Sequence, residues 1–99
     1  MRPLPPLVPS FQAALRDARA QGMDFRLAAA LRLGDQPTPD RAAAVEALRG
    51  LAADVMGPIR AAAISSLGLL EDVDSLPLFT RSLEDPDHGA RQSALEAAG

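Results

Sequence analysis

Apolar residues recur along this chain at helical spacing, and the stretches that carry the pattern are separated by short polar or Gly/Pro turns. After Ser10, a capping residue, F-Q-A-A-L-R-D-A-R-A predicts a first helix that stops at Gln21-Gly22. Asp24 is placed to cap a second, whose apolar positions Phe25, Ala29, Ala30 and Leu33 share a face before Gly34 ends it. Thr38-Pro39-Asp40 opens a third helix with a capping hydroxyl, a proline at the first helical position and a carboxylate opposing the dipole, and the pattern carries it to about Asp54. Gly57-Pro58 opens a fourth with Ile59, Ala63, Ile64 and Leu67 as its buried stripe. In the acidic turn Glu71-Asp72-Val73-Asp74, Asp74 is the expected N-cap of a fifth helix, with Val73 stapled against Leu78 and Pro77 tolerated in the first turn. A sixth follows Asp85-Pro86-Asp87, from about His88 to Gly99. Residues 1–9 hold four prolines and are expected to run extended, like polyproline.

The second, fourth and sixth helices share one segment: F-R-L-A-A-A-L-R-L-G, I-R-A-A-A-I-S-S-L-G and A-R-Q-S-A-L-E-A-A-G, ending at Gly34, Gly68 and Gly99. Arg26, Arg60 and Arg91 stand 34 and 31 residues apart, the spacing of stacked helical pairs. The third copy ends at Gly99, and three antiparallel pairs with no helix unpartnered are expected. Within each copy, the residue before the Arg (Phe25, Ile59, Ala90) and the later pair (Ala29-Ala30, Ala63-Ile64, Ala94-Leu95) are expected to pack against the partner helix and neighbouring units. The closing Gly suits the left-handed conformation that ends a helix. An Asp lies six residues before the Arg in two copies, Asp54 and Asp85, with Ala20 in that place in the first. A row of Asp and Arg is therefore expected to tie one unit to the next, and its absence from the first unit suits a unit with no preceding neighbour.

Composition narrows the picture. The 99 residues, 47% hydrophobic, make one small domain, and the only aromatics are Phe11, Phe25 and Phe79, so the core is built from Ala, Leu, Val and Ile. The absence of Cys excludes disulfides and thiolate chemistry. All ten basic residues are Arg, and the joint absence of Lys, Asn, Tyr and Trp reads as a GC-rich, bacterial genome. The net charge of −3 is uneven: residues 1–34 hold five Arg against two Asp, and residues 57–99 three Arg against seven acids. No apolar run is long enough for a membrane span, and the prolines at the start do not suit a signal peptide, so a cytoplasmic location is expected.

The segment L-P-L-F-T-R-S-L-E-D-P-D-H-G-A-R-Q-S-A-L-E-A-A-G, Leu76 to Gly99, resembles the HEAT repeat, in particular the short HEAT-like repeat named for phycobilisome lyases. Ile59 to Leu70 and Phe25 to Gly34 match the second helix of that pattern. The resemblance covers roughly residues 10–99, as repeats over about 10–34, 38–70 and 74–99. It implies an all-α fold, a right-handed α–α solenoid of three HEAT-like helical hairpins. Ala90 departs from the pattern, and Ala47 and Ala52 thin the third helix, so loose packing is expected at both spots. The tetratricopeptide pattern would require Trp, Tyr and Leu-Gly positions, and ankyrin more than an isolated Thr38-Pro39.

Chemistry is sparse. His88 beside Asp85 and Asp87 lacks a fourth convergent ligand, and the acids between Glu71 and Asp87 lack a twelve-residue calcium loop, so neither a metal nor a cofactor is expected. Six serines share one histidine, and no Gly-rich phosphate loop is present. The expected role is a non-catalytic scaffold for a protein or peptide, the alternatives being a subunit of a bilin lyase-like enzyme or a DNA-binding protein. In such solenoids the second helices line the concave surface, where the outward positions are Leu27 and Leu31, Ala61 and Ser65, Gln92 and Glu96. That row runs from apolar to acidic, without the cations or stacking aromatics that nucleic acid requires. Leu27 and Leu31 either form a partner groove or are covered by Leu4, Leu7 and Val8. The last unit offers Leu76, Phe79, Leu83 and Leu95 as an apolar edge, which points to a homodimer or to a longer chain.

Overall fold

The computed structural model describes residues 9–99. Apart from Pro9, the segment expected to run extended, and with it any cover that Leu4, Leu7 and Val8 give to Leu27 and Leu31, lies outside them. Among the described residues the chain is helical with no strand: α1 (Phe11–Asp17), α2 (Met23–Arg32), α3 (Arg41–Leu51), α4 (Gly57–Leu69), α5 (Leu76–Ser82) and α6 (His88–Ala98), with a 3-10 turn over Val73–Ser75. Helix α1 packs on α2, α3 on α4 and α5 on α6. The even-numbered helices also pack on one another, α2 on α4 and, most extensively, α4 on α6. The result is elongated, 48 × 26 × 17 Å.

Helix starts follow local chemistry, with three corrections to the expected caps. Ser10 and Asp87 cap α1 and α6 through bonds from Ala13 N–H and Ala90 N–H, 3.1 and 2.9 Å. At α3 the cap is Asp40, which accepts from Ala43 N–H at 3.1 Å, and the buried Thr38 hydroxyl has no partner among the described residues. Thr38 fails as the cap because the chain remains non-helical for two more residues. At α2 the N-cap is Gly22, with no side-chain bond, and Asp24 sits inside the first turn. At α5, Asp74 lies within the 3-10 turn and Val73 is 71% exposed, so the expected staple on Leu78 does not form. The extra turn rotates Val73 outward.

The core holds Leu33, Leu48, Ile59, Ile64 and Leu67, each at or near complete burial, surrounded by alanines. Each such side chain contributes about 1.5–3 kcal/mol through burial. Ala90, where loose packing was expected, is fully buried. The expected stripe fails at its two ends: Phe25 and Leu95 are each 60% exposed, while their counterparts Ile59, Ala90, Ala30 and Ile64 are buried. Phe25 occupies the backward-facing position in the first unit and Leu95 the forward-facing position in the last, where no neighbouring unit lies among the described residues. Phe79, expected on the open edge, is instead 2% exposed.

No glycine has a positive φ, which corrects the expected role of Gly34 and Gly68 as left-handed caps. They are needed for close approach. A Cβ on Gly34 would stand 2.9 Å from the Cα of Ser66, and one on Gly68 2.9 Å from the Cβ of Ala97. Ser66, buried at the α2–α4 contact, donates to the carbonyl of Ala30 at 2.6 Å. The left-handed residue after α4 is Glu71, φ 54°. Around it Glu71 N–H bonds to Gly68 O and Asp72 N–H to Leu67 O, 3.0 and 3.3 Å, the paired bonds of a Schellman ending.

Candidate partner-binding surface

The repeated Arg side chains link the units. Each sits in the first turn of an even-numbered helix, and its Nη1 donates to two carbonyls of the preceding turn. These are Ala20 and Gln21 for Arg26, Asp54 and Val55 for Arg60, and Asp85 and Pro86 for Arg91, at 2.6–3.2 Å. The rest of the guanidinium reaches the next unit. Arg26 Nε and Nη2 meet Asp54 at 2.7 and 3.3 Å, and Arg60 Nε and Nη2 meet Asp85 at 2.9 and 2.8 Å. Each Asp also accepts a backbone N–H two residues on, from Met56 and from Asp87, at 2.9 and 2.8 Å. Side-chain exposures of 9% for Asp54 and 11% for Asp85 set these pairs apart from fully exposed ion pairs, which solvent largely screens.

Protonation follows this geometry. Burial pushes the Asp54 carboxyl up, but the Arg26 bond and the Met56 N–H outweigh it, so the group lies below its ordinary range. For Asp85 the Arg60 bond is the largest influence and holds the carboxyl low against burial.

A second link escaped the sequence reading. Asp72, 5% exposed, accepts from Arg49 Nη2 and from the Ser75 hydroxyl, both at 2.6 Å, and from Arg41 Nη2 at 3.5 Å. Arg49 Nε also donates to Ser75 Oγ at 3.1 Å, so the first helix of the second unit is tied to the turn that opens the third. Burial raises the Asp72 carboxyl, and Ser75 with Arg49 outweighs that effect, leaving it below its ordinary value. The available signal was an Asp in the acidic turn Glu71-Asp72-Val73-Asp74, which local pattern alone assigns to solvent.

The row of outward positions is interrupted. Leu31 is 57% exposed and Leu27 is half-buried against the core. Ala61 is half-buried, 3.7 Å from the position of a Cβ on Gly89. Ser65 donates to Ser93 Oγ at 2.9 Å across the α4–α6 contact. Gln92 and Glu96 are exposed and bonded to each other, Nε2 to Oε1 at 3.1 Å. Between α4 and α6 lies a depression of about 280 Å³ lined by Ser65, Gly68, Leu69, Ser93, Glu96 and Ala97. Leu31 thus forms an apolar patch at one end and Gln92-Glu96 a polar one at the other.

Larger furrows lie between the odd-numbered helices. One of about 830 Å³ between α1 and α3 has Leu15, Ala18, Ala47 and Leu51 in its lining and Arg16, Arg19 and Glu46 among its polar groups. Another of about 450 Å³, between α3 and α5, includes Ala52 and Leu78. Ala47 and Ala52 are the residues at which the third helix was expected to be thin. Arg16 and Arg19 were missed because the first helices lack the repeat that singled out the second. Among the described residues no three His, Asp or Glu side chains converge on a common point, and His88 is exposed.

No helix among the described residues is long and apolar enough to cross a membrane. No curated protein and no solved structure matches the chain. Among known families, HEAT repeats match residues 7–99, nearly the whole sequence. The stacked helices, the small-residue contacts between them and this match agree: the chain belongs to the HEAT repeat family.

Proposed function

We propose that this chain is a non-catalytic scaffold, a right-handed solenoid of three HEAT-like hairpins over residues 10–99 that presents its second-helix face to a protein or peptide. HEAT repeats generally mediate protein–protein interaction. The observation that carries the reading to a surface is Leu31, 57% exposed on α2 beside the half-buried Leu27. Covering the exposed part of this side chain with a partner gains about 1–2 kcal/mol, the size of a significant single contact in an interface. On the second-helix face the charges favour a protein over a nucleic acid: Arg26 and Arg60 are engaged by Asp54 and Asp85, and the far end of the row carries Glu96.

The test is affinity capture from the source organism's lysate with the wild-type chain and with Leu31→Ser. The captured partner is lost with the variant while its stability stays within about 0.5 kcal/mol of wild type, because an exposed side chain contributes little to folding. Unaltered capture by a folded Leu31→Ser chain would contradict the reading.

A further inference from the structure

At the same distance before each repeated Arg stand Arg16, Gly50 and Arg81. The middle one lacks a side chain, and its surroundings are unlike those of the other glycines. Every other glycine among the described residues has an atom within 3.2 Å of the place a Cβ would take, whereas Gly50 has nothing within 4 Å. It lies in the last turn of α3, where Gly disfavours the helix, and no close approach within the chain requires it. Its effect is to leave one wall of the α1–α3 furrow open. That furrow measures about 830 Å³, while the α3–α5 furrow, with Arg81 in the equivalent place, measures about 450 Å³.

The furrow combines an apolar floor with a charged rim. Leu15, Ala18, Ala47 and Leu51 form the floor, and Arg16 and Arg19 stand on the α1 side. The Arg16 side chain is 76% exposed and meets Asp17 at 3.7 Å; Arg19 is exposed and has no ion pair among the described residues. On the α3 side Glu46 is exposed, and Asp54 is already closed on Arg26. Two cations are therefore open to a partner along one rim.

We infer that the α1–α3 furrow is the docking site for an amphipathic helix of a partner protein, whose apolar stripe lies over Gly50 and one of whose flanks carries carboxylates for Arg16 and Arg19. A trough between two helices suits the apolar face of a third, and the missing Cβ at Gly50 lets its backbone come close. The two Arg set the sign of the flank. Charge rules against the other occupants. Residues 1–8 carry Arg2 and no acid. No helix among the described residues carries more than one acid, so a helix of a second copy does not offer the pair of carboxylates. Two cations beside Glu46 fall short of the several that a nucleic-acid duplex requires. Leu31, on α2, takes no part in this furrow, so the furrow and the second-helix face are tested separately.

The probe is a displayed library of amphipathic helical peptides of about four turns, with Ala, Leu and Met varied along the stripe and Glu, Gln and Lys varied along both flanks. Peptides enriched on the wild-type chain are expected to carry Glu along one flank. Their affinity, read by fluorescence anisotropy, falls roughly tenfold or more with Gly50→Leu, which fills the furrow, and with Arg16→Glu combined with Arg19→Glu. Leu31→Ser leaves it unchanged. Gly50→Leu unfolds at no lower urea concentration than wild type, because Leu favours the helix, so its loss of binding is not a loss of folding. Absence of enriched peptides, enrichment of Lys on the flanks, or affinities indifferent to Gly50→Leu or to the Arg replacements would overturn the inference. So would a concentration-dependent dimer of the chain that Gly50→Leu abolishes, since the furrow would then belong to a second copy.

Discussion

Gly34 and Gly50 carry the same side chain and answer to different forces. Gly34 is buried against Ser66, where a Cβ would lie 2.9 Å from a backbone atom, whereas Gly50 is exposed on α3 with nothing within 4 Å. Gly34→Ala is expected to cost about 1–3 kcal/mol through overpacking, and Gly50→Ala to gain roughly 0.5–1 kcal/mol from helix propensity, both read by denaturant unfolding. Glu71 is the converse case, a side chain held at φ 54°. Glu71→Gly removes the left-handed penalty and should stabilise by about 0.5–1 kcal/mol, while Glu71→Val should destabilise by at least as much. The recurrence of Gly at the end of each copy was legible in the sequence, but its purpose was not. A cap is a local property, whereas contact with Ser66 or Ala97 depends on a partner 32 or 29 residues away.

At the scale of helices and their links, spacing and turn residues located all six helices to within a few positions. The misplaced caps at Thr38, Asp24 and Asp74 share one cause, several capping residues crowded into each turn with nothing local to choose among them. The Arg26–Asp54 and Arg60–Asp85 links were legible because they repeat; the Asp72–Arg49–Ser75 link was not, because it occurs once. These links set a pH dependence. Asp54, Asp72 and Asp85 have carboxyls lowered by folding. Their contribution is complete above the unfolded value of about 3.9 and is lost as pH falls through the lower folded values. Stability should therefore be level from neutral pH to about pH 5 and fall below about pH 4. Asp72→Asn is expected to cost about 1–3 kcal/mol at pH 7 and to flatten part of that acid limb, as followed by urea unfolding across pH. An acid limb unchanged in the variant would count against the Asp72 link.

For the whole molecule, the repeat register explains both what is buried and what is not. Positions filled between units are open at the ends, so Phe25 on the first unit and Leu95 on the last are exposed although sequence alone assigns both to the core. The row from Leu27 to Glu96 was legible as positions, but its division by the Ser65–Ser93 bond depends on how closely α4 and α6 approach, and side-chain periodicity does not report that distance. The central claim is that the shared residues couple each unit to the next, so that stability is carried by nearest-neighbour contacts. Native-state hydrogen exchange on Asp85→Ala, which opens the link to Arg60 but leaves every other unit intact, tests it most directly. A loss of roughly 1.5–2 kcal/mol corresponds to exchange about 10- to 30-fold faster, and the account places it in α5 and α6, with α1 and α2 nearly unchanged. Equal acceleration across all six helices, or none in α5 and α6, would contradict it.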